Sequence, residues 1–590
     1  MPVDARGPIE GDGVTTQPLR NHVVVYGFRG VGRRVVKQMA KTGVPVIVLQ
    51  PDATPAEILA MQRYEVTYLP GFGQSSESLD AANVAEATAA ICVTDDDLLN
   101  IEIALLVRER SPVVRIVVQM ANAAVGRALE PVTQPGAVLD VAALVSLAFV
   151  EAAISRTTHS LDLDGREFIV ATPEARIAGP LASLWPALTP IAIESGDAAQ
   201  STACPPLDHD AAVGDRVTLV GTSEQFRDAG VNVEVERQIR QGRPLRRRIR
   251  DTVAAMNGVV DRPFRIAFGI LAALAAASIL ILRFGYTEPD GTKMSLLDAV
   301  YFTSETIATV GFGDFYFRDQ PDWLRTWAAA LILLGATLIA VSTALLTNAL
   351  VTRSLAQSLG RQRLTGMADH IVVVGLGTVG SKVARDLHAL GHDVAIIDGG
   401  GGQRFIPEMH ALGMPVLIGD ATLPETQADA GVHRAAGIAI LTSSDLTNLD
   451  TGLSVRDIVR DPSVPIVLRL FGKNLARVVH ENLAIGIPRS IAELAAPWFV
   501  GAALGLETMG TFYVGETAFI AVRVQVNLGG RFEGRTVEEF QDRTRVIAVR
   551  RAEADGTLLC PPPESLIFQA GDIAYLIGQY EDLVDLLPRT

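Results

Sequence analysis

Two nearly uncharged apolar runs in the middle of the sequence restrict the fold more than any other feature. The first is Ile266-Ala-Phe-Gly-Ile-Leu-Ala-Ala-Leu-Ala-Ala-Ala-Ser-Ile-Leu-Ile-Leu282, introduced by Pro263, a residue suited to a first helical turn. The second extends from Trp323 to Val351 with Arg325 as its only charged residue. At 1.5 Å rise per residue the second run is roughly 40 Å long, against a hydrocarbon core of about 30 Å. Both are expected to cross a bilayer, as an outer helix 263–284 and an inner helix 323–351. A buried helix of a soluble protein is the alternative, and it rarely stays apolar for so long.

Arginines set the orientation. Arg237, Arg240, Arg243, Arg246, Arg247, Arg248 and Arg250 precede the first run, in a basic linker 237–262, and Arg353, Arg361 and Arg363 follow the second, in a linker 352–368. Positive residues stay on the cytoplasmic side, so both flanks and both termini are expected there, with the chain in the cell inner membrane. The polar start, residues 1–20, has no apolar stretch of signal-peptide type and reads as a flexible N-terminus. A net charge of −15 argues against nucleic acid as a partner. Cys92, Cys204 and Cys560 lie far apart and suit neither a disulfide framework nor a zinc site.

The flanks are copies of one another. Shifted by 348 residues, His22-Val-Val-Val-Tyr-Gly27 lies over His370-Ile-Val-Val-Val-Gly375, and Gly32, Gly71, Thr94, Asn100 and Arg108 fall on Gly380, Gly419, Thr442, Asn448 and Arg456. Short apolar strands alternate with helical segments in each copy, which predicts parallel βαβ units and a doubly wound sheet. The expected boundaries are 21–155 and 369–505 for these Rossmann-like parts. Smaller β-rich parts, 156–236 and 506–590, end in the matching segments Gly214-Asp-Arg-Val-Thr-Leu-Val-Gly221 and Gly571-Asp-Ile-Ala-Tyr-Leu-Ile-Gly578. The fold class is therefore mixed: an all-α membrane segment, 263–351, between two α/β domains.

Between the apolar runs, residues 295–308 have the spacing of a short amphipathic helix, with Ser295 as N-cap. It is too short to span, and a re-entrant segment at membrane depth must be enclosed by protein or line water. Thr309-Val-Gly-Phe-Gly-Asp314 follows it. Gly311 and Gly313 permit a backbone whose carbonyls point to one axis, where they can replace the hydration shell of an ion. This segment resembles the filter of the potassium-channel family, T-V-G-[YF]-G-D, at every position. The resemblance implies K⁺ held at the carbonyls of Thr309, Val310, Gly311 and Phe312. It also implies a support role behind the filter for Glu305, pairing with Asp314. Gly335 reads either as a gating hinge of the inner helix or as a helix-packing glycine.

In the second copy, Gly375-Leu-Gly377-Thr378-Val-Gly380 follows a strand and opens a helix, and Asp398 ends the next strand 18 residues on. This is the dinucleotide pattern, with glycines for close approach to a pyrophosphate and an acid for the ribose hydroxyls. Asp420 stands in the Gly419-Asp-Ala-Thr422 loop. A Rossmann-like domain that keeps the turn for packing alone is the alternative. The first copy has a degenerate site: Gly27 and Gly32 remain, but Arg29 replaces the middle glycine, Gln50 stands for Asp398 and Phe72 for Asp420.

Over residues 20–240 and 368–590 the copies resemble RCK domains, the regulators of K⁺ conductance. The resemblance implies NAD(H) or an adenine nucleotide as ligand of the second domain, at Gly375, Gly377, Thr378, Gly380, Asp398, Asp420 and Asp445, with a divalent cation as a further candidate. It also implies a homotetramer with an octameric RCK ring under a ligand-gated K⁺ pore, and no enzyme. Two other readings stay open: a regulatory subunit of a K⁺ transport system, and a membrane-tethered NAD-dependent oxidoreductase.

Overall fold

The computed structural model describes residues 19–71, 75–121, 123–129, 131, 133, 137–156, 158–195, 201–231, 262–358, 364, 367–471, 479, 485–515, 517–552, 557–584 and 586. The basic cluster at 237–250 and Phe72 lie outside them.

Each copy opens with six parallel strands in the order 3-2-1-4-5-6. In the first copy the two central strands are Val23–Tyr26 and Ala89–Cys92, and in the second His370–Val374 and Ala435–Ile440. These are short, almost continuous apolar runs, as strands covered on both faces require. Each copy ends in a five-stranded antiparallel sheet, whose middle strands, Arg216–Thr222 and Ile573–Gly578, come from the two matching Gly-Asp segments.

The copies are not separate bodies. Helix Val141–Ala153 of the first packs on helix Thr378–Ala389 and the parallel sheet of the second, while Ile491–Leu504 of the second packs on Val31–Lys41 and the sheet of the first. Ser146 Oγ donates to Asp386 Oδ2 at 2.6 Å across this contact. The helices are apolar nearly all round, and one continuous core joins Val145, Phe149, Leu494 and Phe499 to strands of both sheets. The small sheets also share a core, with Leu161 and Phe168 of the first against Phe512, Phe519 and Tyr575 of the second. Each copy carries a Cys-Pro-Pro turn, 204–206 and 560–562, and the two are held across this junction. Gln225 Nε2 of the first copy donates to Cys560 O at 2.9 Å, and the fully buried Arg545 of the second donates to Pro205 O and Pro190 O.

Three helices form the central segment, each displaced from expectation. The outer helix is Arg262–Gly285, the short helix Leu296–Ile307 and the inner helix Asp322–Ser358. The inner helix runs seven residues past Val351, into the expected linker, because no Gly or Pro interrupts the chain before Gly360. Ser295 caps the short helix, its Oγ accepting from Asp298 N at 3.1 Å. The outer and inner helices have mean hydropathies of 2.3 and 2.4 over their most apolar stretches, yet only 17% of either is buried. A soluble core helix would be enclosed, so these bare apolar faces belong in lipid or against other copies, and the chain is a membrane protein.

Candidate functional site

The short helix places the Thr309–Asp314 segment. Its last turn is tied down by Thr309 N donating to Thr306 O at 3.1 Å and Val310 N donating to Glu305 O at 2.8 Å. Beyond it φ is +58° at Thr309, +59° at Gly311 and +82° at Gly313, with no positive φ at Val310 or Phe312. A φ of alternating sign is what a column of carbonyls turned to one side, and able to coordinate an ion, needs. Thr309 is β-branched, so its left-handed conformation stores strain. Val310 and Phe312 are 52% and 68% exposed in the single chain.

Asp314 is bound directly by another residue of the short helix, Tyr301. Tyr301 Oη, one helical turn from Glu305, donates to Asp314 Oδ2 at 2.9 Å, and its ring stacks on Phe312 with centroids 6.4 Å apart and planes 8° off parallel. Tyr301 points along the segment from the exposed face of the helix, whereas Glu305 turns inward, where it is buried and its Oε2 has no hydrogen-bond partner among the described residues. Gly335 lies in unbroken helix beside the end of the short helix, and a Cβ there would come within 3.2 Å of Ile307 Cγ1.

In the second copy the three motif glycines have different reasons: Gly375 has φ +94°, and a Cβ there would stand 3.0 Å from Thr442 N. A Cβ on Gly380 would stand 1.9 Å from Gly375 O, so the strand-to-helix turn closes only with glycine there. Gly377 has φ −81° and a Cβ added to it would meet nothing within 4 Å, so neither conformation nor packing requires glycine. It leaves open space at the N-terminus of helix Thr378–Ala389, where an anion is favoured.

Asp398 serves the backbone as well as any ligand. Its Oδ1 accepts from Leu376 N at 2.8 Å and its Oδ2 from Gly400 N and Gly402 N at 2.8 and 2.9 Å, and it is 6% exposed. Three N–H groups at the strand end thus hold the carboxylate in place before any ligand arrives. Gln50 performs part of this role in the first copy, accepting from Phe28 N at 2.8 Å. Sequence reasoning missed this shared role, although Gln50 falling on Asp398 in the repeat was the available signal.

Asp420 is exposed and accepts from Thr422 N and Oγ1 at 2.9 and 2.7 Å, and these bonds lower its pKa. Asp445 opens helix Asp445–Ile458 and accepts from Phe471 N at 3.1 Å, as Asp97 does from Ala121 N. Asn448 binds Thr442 N, Thr442 Oγ1 and Arg469 O, matching Asn100 with Thr94 and Gln119. In the first copy Arg29 folds over its cleft, donating to Glu57 Oε1 and Asp52 O, both at 3.2 Å. Among the described residues no group of His, Cys, Asp and Glu is arranged to hold a metal ion.

A TrkA-N domain model matches residues 23–133 and again 371–484, and an ion-channel model matches residues 268–352. The voltage-gated potassium channel Kch of Escherichia coli is 27% identical over 203 residues, which are 32% of this chain and 46% of that protein. Potassium channel protein 1 of Methanocaldococcus jannaschii is 21% identical over 304 residues, 49% of this chain and 87% of that one. The chain thus spans about half the length of the first of these relatives. A solved structure described as the GsuK channel bound to NAD aligns with 97% of this chain and 79% of its own at 15% identity and a TM-score of 0.48. The chain belongs with proteins that join TrkA-N domains to a two-helix ion-channel segment, and carries one such domain on each side of that segment.

Proposed function

We propose that the chain is one subunit of a K⁺-selective channel whose pore is opened or closed by a nucleotide bound to the second TrkA-N domain. The alternation in the sign of φ from Thr309 to Gly313, at the end of a short helix between two bare apolar helices, carries the reading. One such strand offers a single wall of a coordination cage, so four copies around an axis are required, and four chains bring eight TrkA-N domains for one ring. K⁺ binds the carbonyls of Thr309, Val310, Gly311 and Phe312, with Glu305 and Tyr301 behind them. Both flanks lie on the cytoplasmic side of the inner membrane. The open space at Gly377 supports Gly375, Gly377, Thr378 and Gly380 as the phosphate cradle, with Asp398, Asp420 and Asp445 around it.

Gating follows as a shift of population: ligand changes the relation between the domains, and the inner helix, continuous to Ser358, transmits it. K⁺ flux from proteoliposomes, with and without nucleotide, tests both parts. Absence of flux under every condition removes the channel, and flux indifferent to nucleotide removes the gating. Gly311→Val should abolish flux, because φ is +59° there and a β-branched residue resists it. Retained flux in a system with a separate pore protein would instead favour a regulatory subunit.

A further inference from the structure

Strand order 3-2-1-4-5-6 splits the second copy's crevice at its switch point, between strands His370–Val374 and Ala435–Ile440. Asp398 and Asp420 lie on one half. On the other, Ser443, Arg469 and Phe471 line a cavity of about 890 Å³ whose facing wall is the first copy, with Arg33, Arg34 and Lys37 on it. Thr378, at the start of the second copy's glycine-motif helix, lines the same space.

The cations here are incompletely used. Nε of Arg34 and Nε of Arg469 are buried without a hydrogen-bond partner among the described residues. The Arg469 guanidinium lies 4.6 Å from the Phe471 ring centroid, and burial pulls its pKa down to about 10, the sign of a desolvated charge. Asp95, Asp140 and Glu493 also face the cavity, against four cations. Asp140 caps its own helix at Ala142 N, 2.9 Å away, and Glu493 accepts from Tyr513 Oη at 3.2 Å and pairs with Arg34 at 3.5 Å, so Arg34 is engaged within the wall itself. By contrast, the basic residues that follow the second copy's own glycine motif are engaged, Lys382 with Asp386 at 2.5 Å and Arg385 with Glu408 at 3.3 Å. Apart from the buried Arg469, charge for the far part of a ligand anchored at Thr378 therefore comes from across the cavity.

Resting on the reading of the second copy as a nucleotide site, we propose that its ligand is a dinucleotide of the NAD type whose second nucleotide half enters this cavity and is held by Arg33 and Lys37 of the first copy. The ligand then bridges the copies, and the degenerate first copy is a working half of the site. AMP, which ends before the second phosphate, leaves the cavity unfilled.

Calorimetric titration of the full-length tetramer with NAD and with AMP tests this, using wild type and the double variant Arg33→Ala/Lys37→Ala on an accessible helix face. The expected result is an NAD Kd raised at least about tenfold and an AMP Kd held within about twofold, as loss of two charge-assisted contacts implies. Equal loss for both nucleotides, or none for NAD, overturns the bridge and leaves the nucleotide site standing. Failure of wild type to bind either nucleotide overturns the site and the bridge together.

Discussion

His22 and His370 occupy equivalent positions on the first strand of each copy, and both are fully buried. Each donates through Nε2 to a carbonyl, of Ala82 at 2.8 Å and of Ala430 at 3.0 Å, which fixes a neutral tautomer. Desolvation lowers both pKa values from the ordinary 6.5, against the opposing pull of those carbonyls. Above 6.5 the imidazoles are neutral folded or unfolded and their contribution is complete. Below it the unfolded chain takes up protons first, so stability falls as the pH drops towards the folded pKa. Urea midpoints measured at pH 7.5 and 5.5 should fall less in a His22→Gln/His370→Gln variant than in wild type. Asp398 makes a complementary case. Asp398→Ala orphans three N–H groups and should destabilise the second domain by roughly 2 kcal/mol without any ligand, visible as a lower melting temperature. A residue acting only on ribose would leave the unliganded melting temperature unchanged.

Among the elements, the spans, the short helix with its Ser295 cap and the parallel strands were legible because each is a local pattern: apolar length, a capping residue, a short apolar run between turns. What the patterns left open is which element meets which. Val141–Ala153 is apolar nearly all round, but nothing in its sequence says that it covers the other copy's sheet. The partner of Asp314 was equally hidden, because Tyr301 and Glu305 are four residues apart on one helix and only their exposure separates them. Gly335 illustrates the consequence. Hinge and packing roles look alike in sequence, whereas the nearness of Ile307 predicts that Gly335→Val forces the short helix aside. Overpacking there should cost about 1–3 kcal/mol and reduce K⁺ flux, while Gly335→Ala, whose Cβ needs only a small adjustment of Ile307, retains flux. A hinge role would make the alanine variant conduct but gate abnormally.

In the molecule as a whole the two copies are interlocked at three levels: exchanged helices, a shared small-sheet core, and the Cys-Pro-Pro turns held across the junction. Arg545 shows how strongly. It is fully buried in the second copy and donates to Pro190 O and Pro205 O of the first, and burial lowers its pKa. Arg545→Met strands those carbonyls and should cost about 3 kcal/mol. Because the cores are continuous, calorimetry should record one shifted transition for the soluble parts, where independent domains would give two with only the second displaced.

The exchange of helices also dictates an order of events on the ribosome. Val141–Ala153 is made before the membrane segment, but the sheet that covers it includes strand Ala435–Ile440, synthesised long after Ser358. At about 5–20 residues per second the first copy waits tens of seconds with an apolar helix uncovered. During that interval its own pore helices are being inserted nearby. A chain that stalls or ends after the membrane segment therefore bears a permanent mark of incompletion on its first copy, and only a finished chain can hide it.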